Sequence, residues 1–161
     1  MIRAAELGDA GRMAEIVVTA WKTAYAGFIP EDYPAKLSAE KYMRIFEENI
    51  RTGRETMLVA EEDGVVWGFA GGVLLAGRPG VCEVAGLYVH PERHGAGHGA
   101  QLLKAMFALF KSKGCGHAEI WTLRGVKNNS FYMRMGGVEI GSRSYNFGGM
   151  NCPGIGFGFD I

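Results

Sequence analysis

Hydrophobic positions change spacing along this chain, and each change marks an element. Ile2 to Ala5 is a short apolar stretch that suits a strand. Met13, Ile16, Val17, Ala20, Trp21 and Ala24 then recur three and four residues apart, the period of a helix with one buried face. Asp9 is placed as its N-cap, and Gly27 and Pro30 stop it. A second helix starts at Ser38, with Tyr42, Ile45, Phe46 and Ile50 as its apolar face and a Leu37–Tyr42 staple across its first turn. From Thr56 onward the pattern is that of strands. Thr56–Glu61 and Val65–Leu75 flank Glu62-Asp63-Gly64, which has hairpin-turn chemistry. Arg78-Pro79-Gly80 supplies the next turn, and Val81–Val89 is a third strand closed by Pro91. A helix follows from about His98 to Lys113, stopped by Gly114. Its run Leu102–Phe110 is apolar nearly all round, which predicts burial on more than one side. Ala118–Leu123 is a strand, Asn128–Met135 a short helix ended by Gly136-Gly137, and Val138–Phe147 a further strand. The glycine-rich tail, with Phe147, Phe157 and Phe159 between glycines, reads as a strand, a turn and an edge strand.

The order β-α-α-β-β-β-α-β-α-β, with a last strand in the tail, predicts an α/β (α+β) fold: a mixed, mostly antiparallel central sheet flanked by helices. The 161 residues, 48% of them apolar, fit one domain over 1–161, and no repeat or linker divides it. Tyr25 to Lys36 is the longest irregular segment and is therefore a candidate binding loop. Seventeen Lys and Arg balance seventeen Asp and Glu, so aggregate charge points to neither nucleic acid nor an anionic membrane as partner. The longest apolar stretch, Val65 to Gly77, is too short to span a bilayer. Cys82, Cys115 and Cys152 are odd in number and widely spaced, and suggest no zinc site, redox pair or disulfide framework. The N-terminus is charged early and has no apolar secretion core, so a cytoplasmic location is expected by elimination.

Candidate chemistry concentrates between Leu87 and Ala100, where a strand leads into Gly95, Gly97 and Gly99 and then into a helix. Unpaired N–H groups at a helix start, together with the helix dipole, suit a phosphate. Glycine lets the backbone approach such a ligand closely. A plain tight turn would use the same residues. Gly95 to Ala100 also fits the GxGxxA of a dinucleotide site, with Glu119 about 20 residues on as ribose carboxylate. Against that reading, five residues (His90 to His94) separate strand from first glycine, and Glu119 lies near the start of its strand. The roughly 40 residues beyond are too few for a doubly wound sheet. His90, His94 and His98 recur every four residues, but Pro91 and the glycines break any helix that would align them on a metal. No metal is expected.

The segment resembles the acyl-CoA-binding motif of the GNAT superfamily of N-acetyltransferases. That pattern, Gln/Arg-x-x-Gly-x-Gly/Ala, follows a strand that often reads Leu-Tyr-Val-x-Pro. Here it is His94-Gly95-Ala96-Gly97-His98-Gly99, with His94 in place of Gln or Arg and Arg93 one residue early. Ile2-Arg3-Ala4-Ala5, Ala20–Pro30, Leu58–Glu61, Gly64–Phe69 and Asn128–Gly137 are similar to family segments in the same order. The resemblance implies transfer of an acetyl (acyl) group from acetyl-CoA to the primary amine of an acceptor. It places the pyrophosphate on the amides of His94, Gly95, Ala96, Gly97, His98, Gly99 and Ala100. Pantetheine and the thioester oxygen fall on the backbone of Leu87, Tyr88 and Val89. Tyr132 becomes the acid for the CoA sulfur, and otherwise is a helix aromatic packed beside Phe131. Glu83, found by counting back from His94, becomes the base directly or through water, and otherwise is a solvated strand carboxylate. Asn128, with Asn129, holds the pantetheine arm or caps a helix. Trp21, Tyr25, Phe28 and Tyr33 are candidates for the acceptor site. Cys82 as an acyl-carrying nucleophile is the rival mechanism, but alternation along the strand points it away from Glu83. A non-catalytic CoA-binding module is the second reading of the chain and a nucleotide-binding oxidoreductase the third. Because relatives often dimerise, a homodimer pairing through the apolar tail is expected.

Overall fold

A computed structural model describes all 161 residues. Seven strands form one sheet: β1 (Ile2–Ala4), β2 (Thr56–Glu62), β3 (Val65–Leu74), β4 (Val81–Val89), β5 (His117–Leu123), β6 (Val138–Phe147) and β7 (Met150–Asp160). Their spatial order is β1-β2-β3-β4-β5-β7-β6. Every neighbouring pair is antiparallel except β4 and β5, so the sheet is mixed and mostly antiparallel, as the element order predicts. Four helices flank it: α1 (Ala10–Ala24), α2 (Ala39–Thr52), α3 (His98–Ser112) and α4 (Asn128–Arg134).

Strand β2 shows how the layers are built. Its run Met57-Leu58-Val59-Ala60 is apolar without alternation because both faces are covered. Met57 and Val59 pack with Met13, Ile16 and Val17 of α1 and Phe46 of α2. Leu58 and Ala60 face Leu102, Leu103, Met106 and Phe110 of α3. Each such large side chain, fully buried, contributes roughly 1.5–3 kcal/mol. A third cluster, of Tyr25, Ile29, Leu123, Val126 and Cys152, seats the segment after α1 against β5 and β7.

Four sequence expectations are corrected. Asp9 stands at the N-cap of α1 but makes no cap bond; its carboxylate instead takes two bonds from Arg3, at 2.8 and 3.0 Å, and one from the Glu6 N–H at 2.8 Å. A charged partner outcompetes a neutral amide. In α2, Ser38 does cap, accepting from the Lys41 N–H at 3.2 Å, but Ile45 is 42% exposed. Asn49 is buried on the packed face in its place, donating to Glu55 at 2.8 Å. Helix α3 covers one side of the sheet only, and Gln101, Lys104 and Ala108 are exposed. Its second apolar flank is used partly, where Phe107 meets Phe159 with ring centroids 5.0 Å apart. Finally, the glycine-rich tail is not an edge. It is one eleven-residue strand, β7, inserted between β5 and β6, which leaves β6 at the edge.

Irregularity in β4 shapes the middle of the sheet. Gly86 pairs with Gly71 and Val84 with Gly72, so Ala85 is an extra residue, a bulge. One inserted residue inverts the phase of a strand. Cys82 and Val84 before the bulge, and Leu87 and Val89 after it, all face α3, whereas Tyr88 turns toward α1. On its other side β4 pairs with β5 over only three residues, Val81 to Glu83 against His117 to Glu119. Beyond Glu83 the two strands part.

Candidate active site

The first half of the site is the turn between β4 and α3. His90 closes the ladder, donating its N–H to the Trp67 carbonyl at 2.8 Å. His94 turns its ring back, with Nε2 3.0 Å from the Val89 carbonyl oxygen, and so braces the turn against the strand end. Gly95 (φ 83°) and Gly97 (φ 87°) then adopt the left-handed conformation that a side chain disfavours. The first backbone bond into the helix is from the Gln101 N–H to the Gly97 carbonyl, at 3.0 Å. The N–H groups of Gly95, Gly97, His98, Gly99 and Ala100 therefore have no backbone acceptor. They gather at the positive end of a fifteen-residue helix, and nothing lies within 4 Å of where a Cβ on Gly95 would be. This is an anion cradle. The Arg93 guanidinium lies 4.6 Å from the Trp67 ring centroid, with its Nε 3.7 Å from Glu62. The three histidines diverge: His90 accepts from the Glu92 N–H, His94 braces the turn, and His98 is buried 3.6 Å from Glu62.

The second half is the cleft opened where β4 and β5 part. Val84, Ala85, Gly86, Leu87 and Tyr88 form one wall, Ile120, Trp121 and Thr122 the other, with Tyr25 and Tyr132 lining it as well. Past Glu83, the β4 backbone on this side has no strand partner. Tyr132, from α4, packs against Phe131 and Phe157. Burial, and after it the neighbouring Tyr25, pushes its phenol above the ordinary range. Tyr25 is raised too, by burial first, while Thr122 and Asn128 beside it pull the other way. Both phenols are thus proton donors at neutral pH.

Glu83 does not line this cleft. It stands at the closed end, on the face opposite Cys82, beside Val73 on β3 and Glu119 on β5. Burial, with the Glu83 charge as the second cause, raises the Glu55 carboxyl nearby. Burial also pushes Glu119 upward, but Arg78 at 2.7 Å and the Trp121 indole N–H at 3.3 Å outweigh it and hold that carboxyl below its usual range. Glu83 and Tyr132 therefore lie on opposite faces of the sheet with the cleft between them. Asn129, not Asn128, organises the β5–α4 turn, accepting from the Gly125 N–H at 2.8 Å and donating to the Leu123 carbonyl at 2.9 Å. No side chain caps α4, so the plain N-cap reading of the Asn pair does not hold.

Of the aromatic acceptor-site candidates, only Tyr25 reaches the cleft; Trp21 and Tyr33 pack on Phe147 at 5.2 and 5.3 Å. Sequence reasoning missed Thr122. The available signal was its phase: it shares the buried side of β5 with Ala118 and Ile120, where a hydroxyl is out of place.

A strand that bulges and parts from its parallel neighbour thus leads toward a glycine-started helix with free amides. The profile of the acetyltransferase (GNAT) family matches residues 18–136, and the chain belongs to that family. It is an acetyl-CoA-dependent N-acetyltransferase. Solved structures share the fold across nearly the whole chain. A GCN5-related N-acetyltransferase from Rhodopseudomonas palustris superimposes with a TM-score of 0.80 at 20% identity, covering 100% of this chain and 95% of its own. The PaiA N-acetyltransferase from Thermoplasma acidophilum, solved with coenzyme A, gives 0.79 at 23% identity, covering 100% and 98%. YncA from Salmonella typhimurium, solved with acetyl-CoA, gives 0.75 at 21% identity, covering 99% and 92%. No curated protein matches the sequence. No helix is long and apolar enough to cross a membrane.

Proposed function

We propose that the enzyme acetylates a primary amine by direct transfer, with no acyl-enzyme intermediate. The carrying observation is that the β4 backbone from Leu87 to Val89, which has no strand partner on its β5 side, leads through the His90–His94 turn to the amide cradle of Gly95 to Ala100. That arrangement fits a diphosphate on the helix start and a pantetheine arm laid along the strand, with the thioester in the cleft. The amine approaches from the Glu83 face and Glu83 removes its proton, directly or through water. Nitrogen then bonds the acetyl carbon, the C–S bond breaks, and Tyr132 gives its proton to the departing sulfur. Asn128, whose side chain lies beside the Tyr25 phenol, is assigned to the pantetheine amide in this reading. A cytoplasmic enzyme of one domain fits the three free cysteines.

The rival nucleophile fits poorly. Cys82 is fully buried, its thiol contacts the His117 carbonyl at 3.6 Å, and burial, followed by Cys115, pushes its pKa up to about 12. Thiolate is the reactive form, so Cys82 is inert near neutral pH. Calorimetry tests the site itself: acetyl-CoA should bind the wild type, and Gly97→Glu should abolish binding through bulk and like charge. Gly97→Ala, which shares the backbone strain without the charge, should bind more weakly than wild type but measurably. Unchanged affinity in Gly97→Glu rejects the site.

A further inference from the structure

Four buried side-chain atoms have no hydrogen-bond partner: the indole nitrogen of Trp21, both ring nitrogens of His98 and the hydroxyl oxygen of Thr122. A buried polar atom left unpaired lowers stability, and folded proteins tolerate it chiefly where a ligand or water completes it. Thr122 is the one of these residues on the cleft wall; its hydroxyl is close enough to the Tyr25 phenol to favour that group's ionised form, yet it makes no well-formed hydrogen bond to it. It is 8% exposed, and its neighbours in phase on β5 are Ala118 and Ile120. Valine would fill the same space there without the unpaired hydroxyl.

We propose that Thr122 is a substrate-binding residue whose hydroxyl donates to the carbonyl oxygen of the bound acetyl thioester, from the strand opposite the β4 backbone. The proposal rests on the acetyl-CoA reading of the cleft. A hydroxyl held in an apolar wall needs no reorganisation when charge builds on that oxygen as nitrogen attacks, so the bond strengthens along the reaction. Coenzyme A without the acetyl group offers no such acceptor. The hydroxyl therefore discriminates the loaded carrier from the spent one.

The test compares wild type, Thr122→Val and Thr122→Ser by calorimetry with acetyl-CoA and with coenzyme A, and by thermal melting. Thr122→Val should melt no lower than wild type and bind coenzyme A equally well. Its affinity for acetyl-CoA should fall about 5-fold, the size expected for one neutral hydrogen bond. Thr122→Ser should recover most of that loss. An unchanged preference for acetyl-CoA over coenzyme A in Thr122→Val overturns the proposal. So does an equal loss of both ligands with a lower melting temperature, which would make the hydroxyl structural. If wild type binds neither ligand, the acetyl-CoA reading fails first and takes this proposal with it.

Discussion

In the proposed mechanism Tyr132 and Glu83 act from opposite faces of one sheet, and each role has a distinct signature. Removing the phenol hydroxyl leaves the ring packing on Phe131 and Phe157 intact. Tyr132→Phe should therefore lower kcat roughly 10²-fold, as loss of a general acid does, with little change in acetyl-CoA affinity by calorimetry. The phenol is held above its ordinary range by burial and then by Tyr25, so it stays protonated through that range and loses its donor role only above it. The wild-type rate should show no alkaline decline between about pH 8 and about pH 10, the ordinary phenol value. A decline centred below that range would show that Tyr132 is not the acid. Glu83→Gln should flatten the acidic limb, because no base is left there to be protonated. Cys82→Ala should stay active in the same assays, run with a panel of small amines and peptides; ping-pong kinetics with an inactive Cys82→Ala enzyme would overturn direct transfer.

At the scale of elements, local chemistry decided some features and neighbours decided others. The Val81–Val89 strand, the glycine turn and the start of α3 were legible because left-handed glycines and a helix start are set by residues adjacent in sequence. The place of the tail was not. Gly154, Gly156 and Gly158 share one face of β7 while Ile155, Phe157 and Phe159 fill the core on the other. Alternating glycine looks like a weak edge strand until the cross-strand partners are known. Here the glycines make room for rings: Tyr145 lies over Gly154, and the Trp121 indole sits 2.6–2.7 Å from where a Cβ on Gly156 would be. Trp121 is held there by its bond to Glu119 at 3.3 Å and by the Arg143 guanidinium 3.8 Å from its ring centroid. Gly156→Ala should cost about 1–3 kcal/mol, typical of overpacking, read as a lower urea midpoint. A midpoint equal to wild type would show that the indole moves freely. Asp9 stands at the expected N-cap but gives its carboxylate to Arg3 rather than to the helix amides, and Ile45 lies off the packed face of α2, where Asn49 is buried instead.

For the whole molecule, the insertion of β7 changes how copies can meet. Both edges of β7 are occupied, so the homodimer expected through the tail cannot pair there. The free edges are β1, with three residues, and β6, with ten, where Val138 (68% exposed) and Ile140 (42%) are uncovered. A dimer that extends the sheet should use β6. Sedimentation at micromolar concentration should give the mass of two chains, and Ile140→Lys should shift it toward one; a monomeric wild type would end this reading. By itself the sequence determined the element order, the fold class and the glycine turn ahead of α3. Each of these follows from spacing and conformational preference within a dozen or so residues. Only the tertiary structure decided where β4 parts from β5, that Tyr25, Thr122 and Tyr132 meet in the gap, and that Glu83 stands on its far side. Those depend on one extra residue at Ala85 and on which strand lies beside which. A bulge inverts every side chain beyond it, yet it is set by the partner strand's register, which sequence spacing does not carry.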